Sequence, residues 1–406
     1  MKLSARSLGK YGVCALAGTG VAWLAGSNAV GNINLWSNPE HAMGRIGLGS
    51  FPGARTADLH LALDKTPRPP GAFADMARAS LQVEALNAPA LRILGLAAAA
   101  GGDQAKATQL MGLAQAVTRR DGATQLWFIN QAAQQGDIKA ALAHYDKALR
   151  VNAAIQPQLF PTLGQALANP AVRTAMVPYI KSPPNWMAAF VTSTLAQPQS
   201  VANIAETLNT AGGLPLDNPE YRSFESQLIA ALATSKQFDV LWRFYQGLHG
   251  APAQAMTSLD FNSVTTNLQY APVTWALTNS STITTEFVDS AGQAKQLHVV
   301  LSSGEHGPVA YKLLFLRPGY YRIRLAYHWA RPSTGANVAL NLTCATNGQI
   351  IPQSLANTVP GATIEELLTV TPQCQTIGAD IVAAAGDSSE GEDLMIYRPS
   401  LSVLKP

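Results

Sequence analysis

Between about residues 72 and 250 the apolar positions recur at steps of three and four, and beyond about 260 they alternate with polar ones. The first spacing puts side chains on one face of an α-helix, the second on one face of a β-strand. In 226–248, Leu228, Leu232, Phe238, Leu241, Phe244 and Leu248 follow the helical step and predict a helical hairpin. Asn169-Pro170 and Asn218-Pro219-Glu220 have the form of capped helix starts, while Pro183-Pro184 and Gly212-Gly213 mark breaks. Trp186, Trp242 and Tyr245 fall among these helices and are read as packing residues. Beyond 260, strands are predicted at 273–277, 282–288, 296–301, 310–316, 320–329, 338–344, 365–370, 378–384 and 394–403. In 320–329, Tyr321, Ile323, Leu325 and Tyr327 share one face and Arg322, Arg324 and His328 the other, as in a half-buried antiparallel strand. Arg317-Pro318-Gly319 precedes it and predicts a hairpin turn. The fold class expected is multidomain, α then β, ending in an antiparallel two-sheet sandwich of jelly-roll type.

A repeat organises the helical part. Gly102-Asp103-Gln104-Ala105-Lys106-Ala107 returns 34 residues later as Gly136-Asp137-Ile138-Lys139-Ala140-Ala141, with Met111 against Tyr145 and Ala114 against Ala148. In each unit a Gly-Asp turn separates two helices, a small Ala admits close packing, and a large apolar residue fills the gap. Residues 87–152 resemble two tetratricopeptide repeats, a 34-residue helix–turn–helix unit. Leu94-Gly95 and Ala98 fit the leading helix of the first; Phe128 fits the second, whereas Ile129 stands where a small residue is usual. The resemblance implies a solenoid of binding type, expected over 71–252, whose leading helices line a hollow surface. It places Arg92, Asn130 and Gln134 there as partner-binding residues. Asn130 matches the position of a backbone-gripping asparagine, Leu96 occupies the equivalent place in the first repeat, and the lysines of a carboxylate clamp are missing. An apolar or internal peptide segment is therefore the expected ligand.

The N-terminus changes the compartment. Lys2, Arg6 and Lys10 precede an apolar run from Tyr11 to Gly26, followed by Ser27-Asn28-Ala29. Residues 1–30 read as a cleaved signal peptide or an uncleaved membrane anchor. Either places the remainder on the periplasmic side. Residues 31–70, rich in Gly, Pro and Asn, are read as a linker with a short helix around 56–63. The net charge of +3 is explained by the same three cations, since removing them from 28 leaves 25 basic against 25 acidic residues. A neutral remainder gives nucleic acid no electrostatic support. With 47% hydrophobic and 13% charged residues the chain can fill a core.

Residues 262–406 hold Cys344 and Cys374, 30 positions apart, with Cys344 on the inward face of its strand. In an exported domain such a pair reads as a disulfide, with two reduced core thiols as the alternative. The domain resembles carbohydrate-binding jelly rolls in size, in an early Trp275 and in a closing strand at 395–401. The whole combination resembles envelope proteins that accompany exopolysaccharide assembly in Gram-negative bacteria. The carbohydrate-binding alternative takes Trp329 and Tyr320 as sugar-stacking residues, with Trp275 and Tyr327 as further aromatics whose exposure decides between stacking and packing.

Catalytic motifs are not evident: there is no GxSxG, GxxxxGK[ST] or HExxH, and 47–53 lacks dinucleotide-fingerprint spacing. His41, His60, His144, His249, His298, His306 and His328 do not cluster in sequence, and no cofactor or metal site is assigned. The acidic run 387–393 reads as a solvated loop, with calcium as its alternative use. Ser303-Gly304-Glu305-His306-Gly307 reads as a hairpin turn. Three functions remain: a non-enzymatic envelope scaffold holding a protein partner, a carbohydrate-binding protein, and an enzyme whose site is not linear in sequence.

Overall fold

The two Gly-Asp turns fold alike. Gly102 and Gly136 adopt φ of 84° and 72°, a left-handed conformation that costs a residue without Cβ little. Asp103 and Asp137 then cap the next helices, each accepting a hydrogen bond at 3.0 Å, from the Lys106 and Ala140 amides respectively. Below the turns Ala107, Met111 and Ala114 are buried, as are Tyr145 and Ala148. Gly95 is the counterpart of Met111 across the first hairpin: a Cβ there would stand 3.1 Å from Met111 Cγ. At the equivalent position of the second hairpin Ile129 is itself buried.

The computed structural model describes residues 18–23, 25–26, 69–215, 221, 223–263, 270–289, 295–331, 334–351, 361–387 and 390–404. Residues 31–68 of the linker expected over 31–70, with its helix around 56–63, the helix start expected at 218–220, and most of 1–30 lie outside the described residues. Among the described residues no helix is long and apolar enough to cross a membrane.

The chain divides into two units, 1–156 and 157–406. The first contains α1 (Ala74–Val83), α2 (Ala88–Ala100), α3 (Gln104–Val117), α4 (Gly122–Gln134) and α5 (Ile138–Val151). The second takes α6 (Gln156–Ala166), α7 (Pro170–Lys181), α8 (Met187–Leu195), α9 (Pro198–Ala211), α10 (Phe224–Thr234) and α11 (Phe238–Gly247). These are followed by β1 (Ala276–Leu277), β2 (Ile283–Val288), β3 (Gln296–Leu301), β4 (His306–Phe315), β5 (Gly319–Trp329), β6 (Asn337–Cys344), β7 (Gly361–Val370), β8 (Thr376–Ala384) and β9 (Glu392–Leu404). Helices beyond 157 thus belong with the sandwich rather than with the hairpins of the first unit. The junction shows why: α11 lies on the β-sheet, its Trp242 Nε1 donating to Thr376 Oγ1 at 3.0 Å and its ring 5.4 Å from Phe315. Trp186 and Tyr245 are buried as expected.

Two antiparallel sheets form among the described residues, in the orders β1-β4-β8-β6 and β2-β3-β9-β5-β7. Alternation along β5 buries Tyr321, Ile323, Leu325, Tyr327 and Trp329 and turns Tyr320, Arg324 and His328 to solvent, as the pattern predicts. They meet Ala310, Leu314, Leu340, Leu342, Ile377, Ala379 and Ile381 from the other sheet, each large side chain stabilising the sandwich by roughly 1.5–3 kcal/mol.

The hairpin expected at Arg317-Pro318-Gly319 is overturned. From β3 to β9 every connection changes sheet, so β4 and β5 lie in opposite layers, and residues 302–305 likewise join β3 to β4 across layers. A Pro-Gly turn fixes a chain reversal and nothing more. Leu314 and Leu316 enter the same interior that Tyr321 and Ile323 enter from the opposite side, and that shared core carries the turn across the sandwich.

Cys344 and Cys374 form the disulfide, with Cα atoms 5.6 Å apart. Closing a 30-residue loop contributes about 3–4 kcal/mol on the chain-entropy account. Protein purified and denatured without reductant is therefore expected to resist thiol labelling at both cysteines, and reduction should lower the urea midpoint. Full labelling before reduction would refute the bridge.

Candidate functional site

The hairpins of the first unit were expected to carry Arg92, Asn130 and Gln134 on a hollow face. Arg92 is not on a face at all. It is 3% exposed within α2, and its Nη1 pairs with Asp121 Oδ2, which also accepts from the Thr124 hydroxyl. Asp121 precedes α4, so Arg92 ties the first hairpin to the start of the second. A guanidinium with this fixed partner is a structural clamp and not a ligand contact. Asn130 and Gln134 are exposed and, four residues apart, share one face of α4. The same helix is fastened to its neighbour by Gln131 Nε2, which donates to Thr108 Oγ1 at 3.0 Å. A groove of about 540 Å³, which no linear pattern announced, runs where α1, α2 and α3 meet, lined by Arg78, Leu94, Ala98, Lys106 and Leu110 among others.

In the second unit the two outer sheet faces differ. α11 packs on the four-stranded sheet, whereas outward residues of the five-stranded sheet reach solvent. Trp329, expected to stack on sugar, is 1% exposed, and Trp275 and Tyr327 are buried with it. The odd positions of β5 point between the sheets, so these rings are core. Trp275 Nε1 is satisfied there by Leu259 O at 3.0 Å. Tyr320, on the even face, is 56% exposed.

Register assembles the surroundings of Tyr320. Along β5, Tyr320, Arg322 and Arg324 lie opposite Thr369, Leu367 and Glu365 of β7. On the other side they lie opposite Leu404, Ser402 and Ser400 of β9. Arg324 Nε donates to Glu365 Oε2 at 2.8 Å. Arg322 Nε stands 3.0 Å from Glu365 Oε1 but off the line of a hydrogen bond. Farther along the same face, His298 lies 3.3 Å from Glu286 and 3.2 Å from Asp393. The sequence announced the alternation of β5; the partners contributed by β7 and β9 come from strands 41 and 80 positions away in the cases of Glu365 and Ser402.

The acidic run 387–393 does not gather its carboxylates: Glu392 is buried, while Asp393, the next residue of β9, points outward to His298. Among the described residues no group of three or more His, Cys, Asp or Glu side chains is arranged to hold a metal ion. A cleft of about 450 Å³ opens at one end of the sandwich, bordered by Gln246, Met256, Arg317, Tyr321, Leu401 and Val403.

No protein-family model matches the sequence, and no curated protein matches it significantly. Parts of the chain are similar to solved structures. One is TmCBM61 in complex with β-1,4-galactotriose, 15% identical with a TM-score of 0.25, covering 32% of this chain and 88% of that one. A second is the CBM22-1 xylan-binding domain of Paenibacillus barcinonensis Xyn10C, 11% identical with a TM-score of 0.27, covering 37% and 95%. A third is the enzymatically active domain of bacteriophage CBA120 tailspike protein 4, 11% identical with a TM-score of 0.25, covering 32% and 19%. Likeness at this level names no ligand for this chain.

Proposed function

We propose that the protein is a non-enzymatic adaptor of the cell envelope, placed on the periplasmic side and serving exopolysaccharide assembly. Its tetratricopeptide-like hairpins hold a protein partner through the face of α4 bearing Asn130 and Gln134. The observation that supports this reading best is that these two polar side chains are exposed and aligned on a helix fixed to its neighbours through Gln131 and Asp121. Rigid elements with outward polar groups favour recognition, because little order is lost on binding. The Cys344–Cys374 bridge supports an oxidising compartment.

A photo-crosslinking residue placed at 130 or 134 of the full-length protein in its native cells tests this reading. A discrete light-dependent adduct is expected at both positions, and none from the exposed face of α3 at Ala105. Absence of adducts at 130 and 134, or the same products from 105, would count against the adaptor.

A second reading, glycan binding by the sandwich, is favoured by a different observation. Tyr320 presents its ring on the open face of the five-stranded sheet opposite exposed Thr369, with exposed Ser402 and Ser400 farther along the same face opposite Arg322 and Arg324, a combination suited to a sugar ring and its hydroxyls.

A further inference from the structure

We propose that Tyr320, Arg322 and Arg324 form a binding strip for an anionic glycan, one whose sugars carry carboxylates. This rests on the glycan reading and adds the class of ligand. The three residues alternate along β5, so their side chains leave the same face about 7 Å apart in succession. Tyr320 supplies an exposed ring at one end. Leu367, 65% exposed and opposite Arg322, adds an apolar shoulder, and Ser402 and Ser400 line the other side.

Charge selects the ligand. Glu365 serves both guanidiniums, holding Arg324 by an aligned hydrogen bond and Arg322 by proximity alone. One carboxylate against two arginines leaves the strip with a surplus positive charge. Both guanidiniums stay partly open, with side chains 38% and 51% exposed, and a planar guanidinium fork matches a carboxylate in two-point geometry. A neutral sugar would occupy Tyr320 and leave this charge unanswered. At the far end of the same face Glu286 and Asp393 flank His298, which disfavours an anion there and confines it to the β5–β7 end. A flat strip on strands, in place of an enclosed pocket, suits an extended chain.

The test compares polygalacturonate with its fully methyl-esterified form, polymers that share a backbone and differ in charge, by affinity electrophoresis of the full-length protein. The free acid is expected to bind at least about tenfold more tightly at low salt, as charge-assisted hydrogen bonds imply. The preference should shrink in about 0.5 M NaCl, where exposed charges are screened. Arg322→Ala with Arg324→Ala should abolish the preference. Glu365→Gln, which removes the neutralising carboxylate, should strengthen binding of the free acid, a gain that loss of structure cannot mimic. Equal affinity for the two polymers, or no gain from Glu365→Gln, overturns the anionic assignment while leaving glycan binding in place. Failure to retain either polymer, or a panel of neutral glucans and galactans, overturns both.

Discussion

Replacing Arg92 by alanine should destabilise the helical unit by about 3 kcal/mol or more, the cost of removing one partner from a buried ion pair. Arg92 is almost wholly buried, and Asp121 on its other side is 16% exposed, so water can replace the guanidinium only in part. The lost side chain would also leave a space between α2 and the start of α4. Arg92→Lys should recover little, because a point ammonium does not reproduce the planar donor fork. Asn130→Ala and Gln134→Ala, on exposed positions, should stay within about 0.5 kcal/mol. Thermal and urea melts of the single variants separate these cases. If Arg92→Ala melted with the wild type, the clamp between the hairpins would be wrong.

Lys312→Met should have a large effect of the opposite sign. Lys312 lies on the inner face of β4, 0% exposed, with Nζ 5.9 Å from the Trp275 ring centre and no hydrogen-bond partner among the described residues. Burial depresses its pKa to about 7, while nearby Asp260 pulls in the other direction. Unfolded, the amine regains its ordinary value of 10.5. Between these values the unfolded chain binds more protons than the folded one, so stability rises with pH from about 7 toward 10.5 and is flat in this respect below 7. At neutral pH the folded chain bears a cost of about 4–5 kcal/mol for the depressed ionisation. A methionine of similar length carries no charge to desolvate, so the variant should melt higher at pH 7 and lose the rise toward pH 9.5. Measurement stops there because burial raises the Tyr311 pKa to about 12 and those of Tyr245 and Tyr270 further. In such raised tyrosines the unfolded state ionises first, and stability falls above about pH 10. A variant no more stable than the wild type at pH 7, with an unchanged pH slope, would show that Lys312 reaches solvent.

The local pattern carried much of the architecture. The 34-residue repeat located the left-handed glycines and aspartate caps, because those are short-range requirements of turns and helix starts. Alternation located the strands closely: 320–329 was expected against β5 at Gly319–Trp329, and 378–384 against β8 at Thr376–Ala384. Cys344, placed inward by the same alternation, is bonded to Cys374. The site residues were less legible. Trp329 belongs to the odd face of β5, and its burial follows from the pattern once that face is known to be the core. Tyr320 follows equally from the even face. Arg92 misled because the repeat resemblance assigns its position to the hollow face, whereas the partner that buries it, Asp121, lies 29 positions on.

What the sequence by itself determined, then, was the succession of helical and strand segments, the two Gly-Asp turns with the helix starts that follow them, and the apolar faces of the strands at 320–329 and 338–344. Those properties depend on neighbours within a few residues. Only the tertiary structure decided that β4 and β5 part into different sheets, that the later helices join the sandwich, and that Glu365 divides one charge between Arg322 and Arg324. Each depends on pairing between distant segments, where several partners satisfy the same local pattern and the shared packing of the core selects among them.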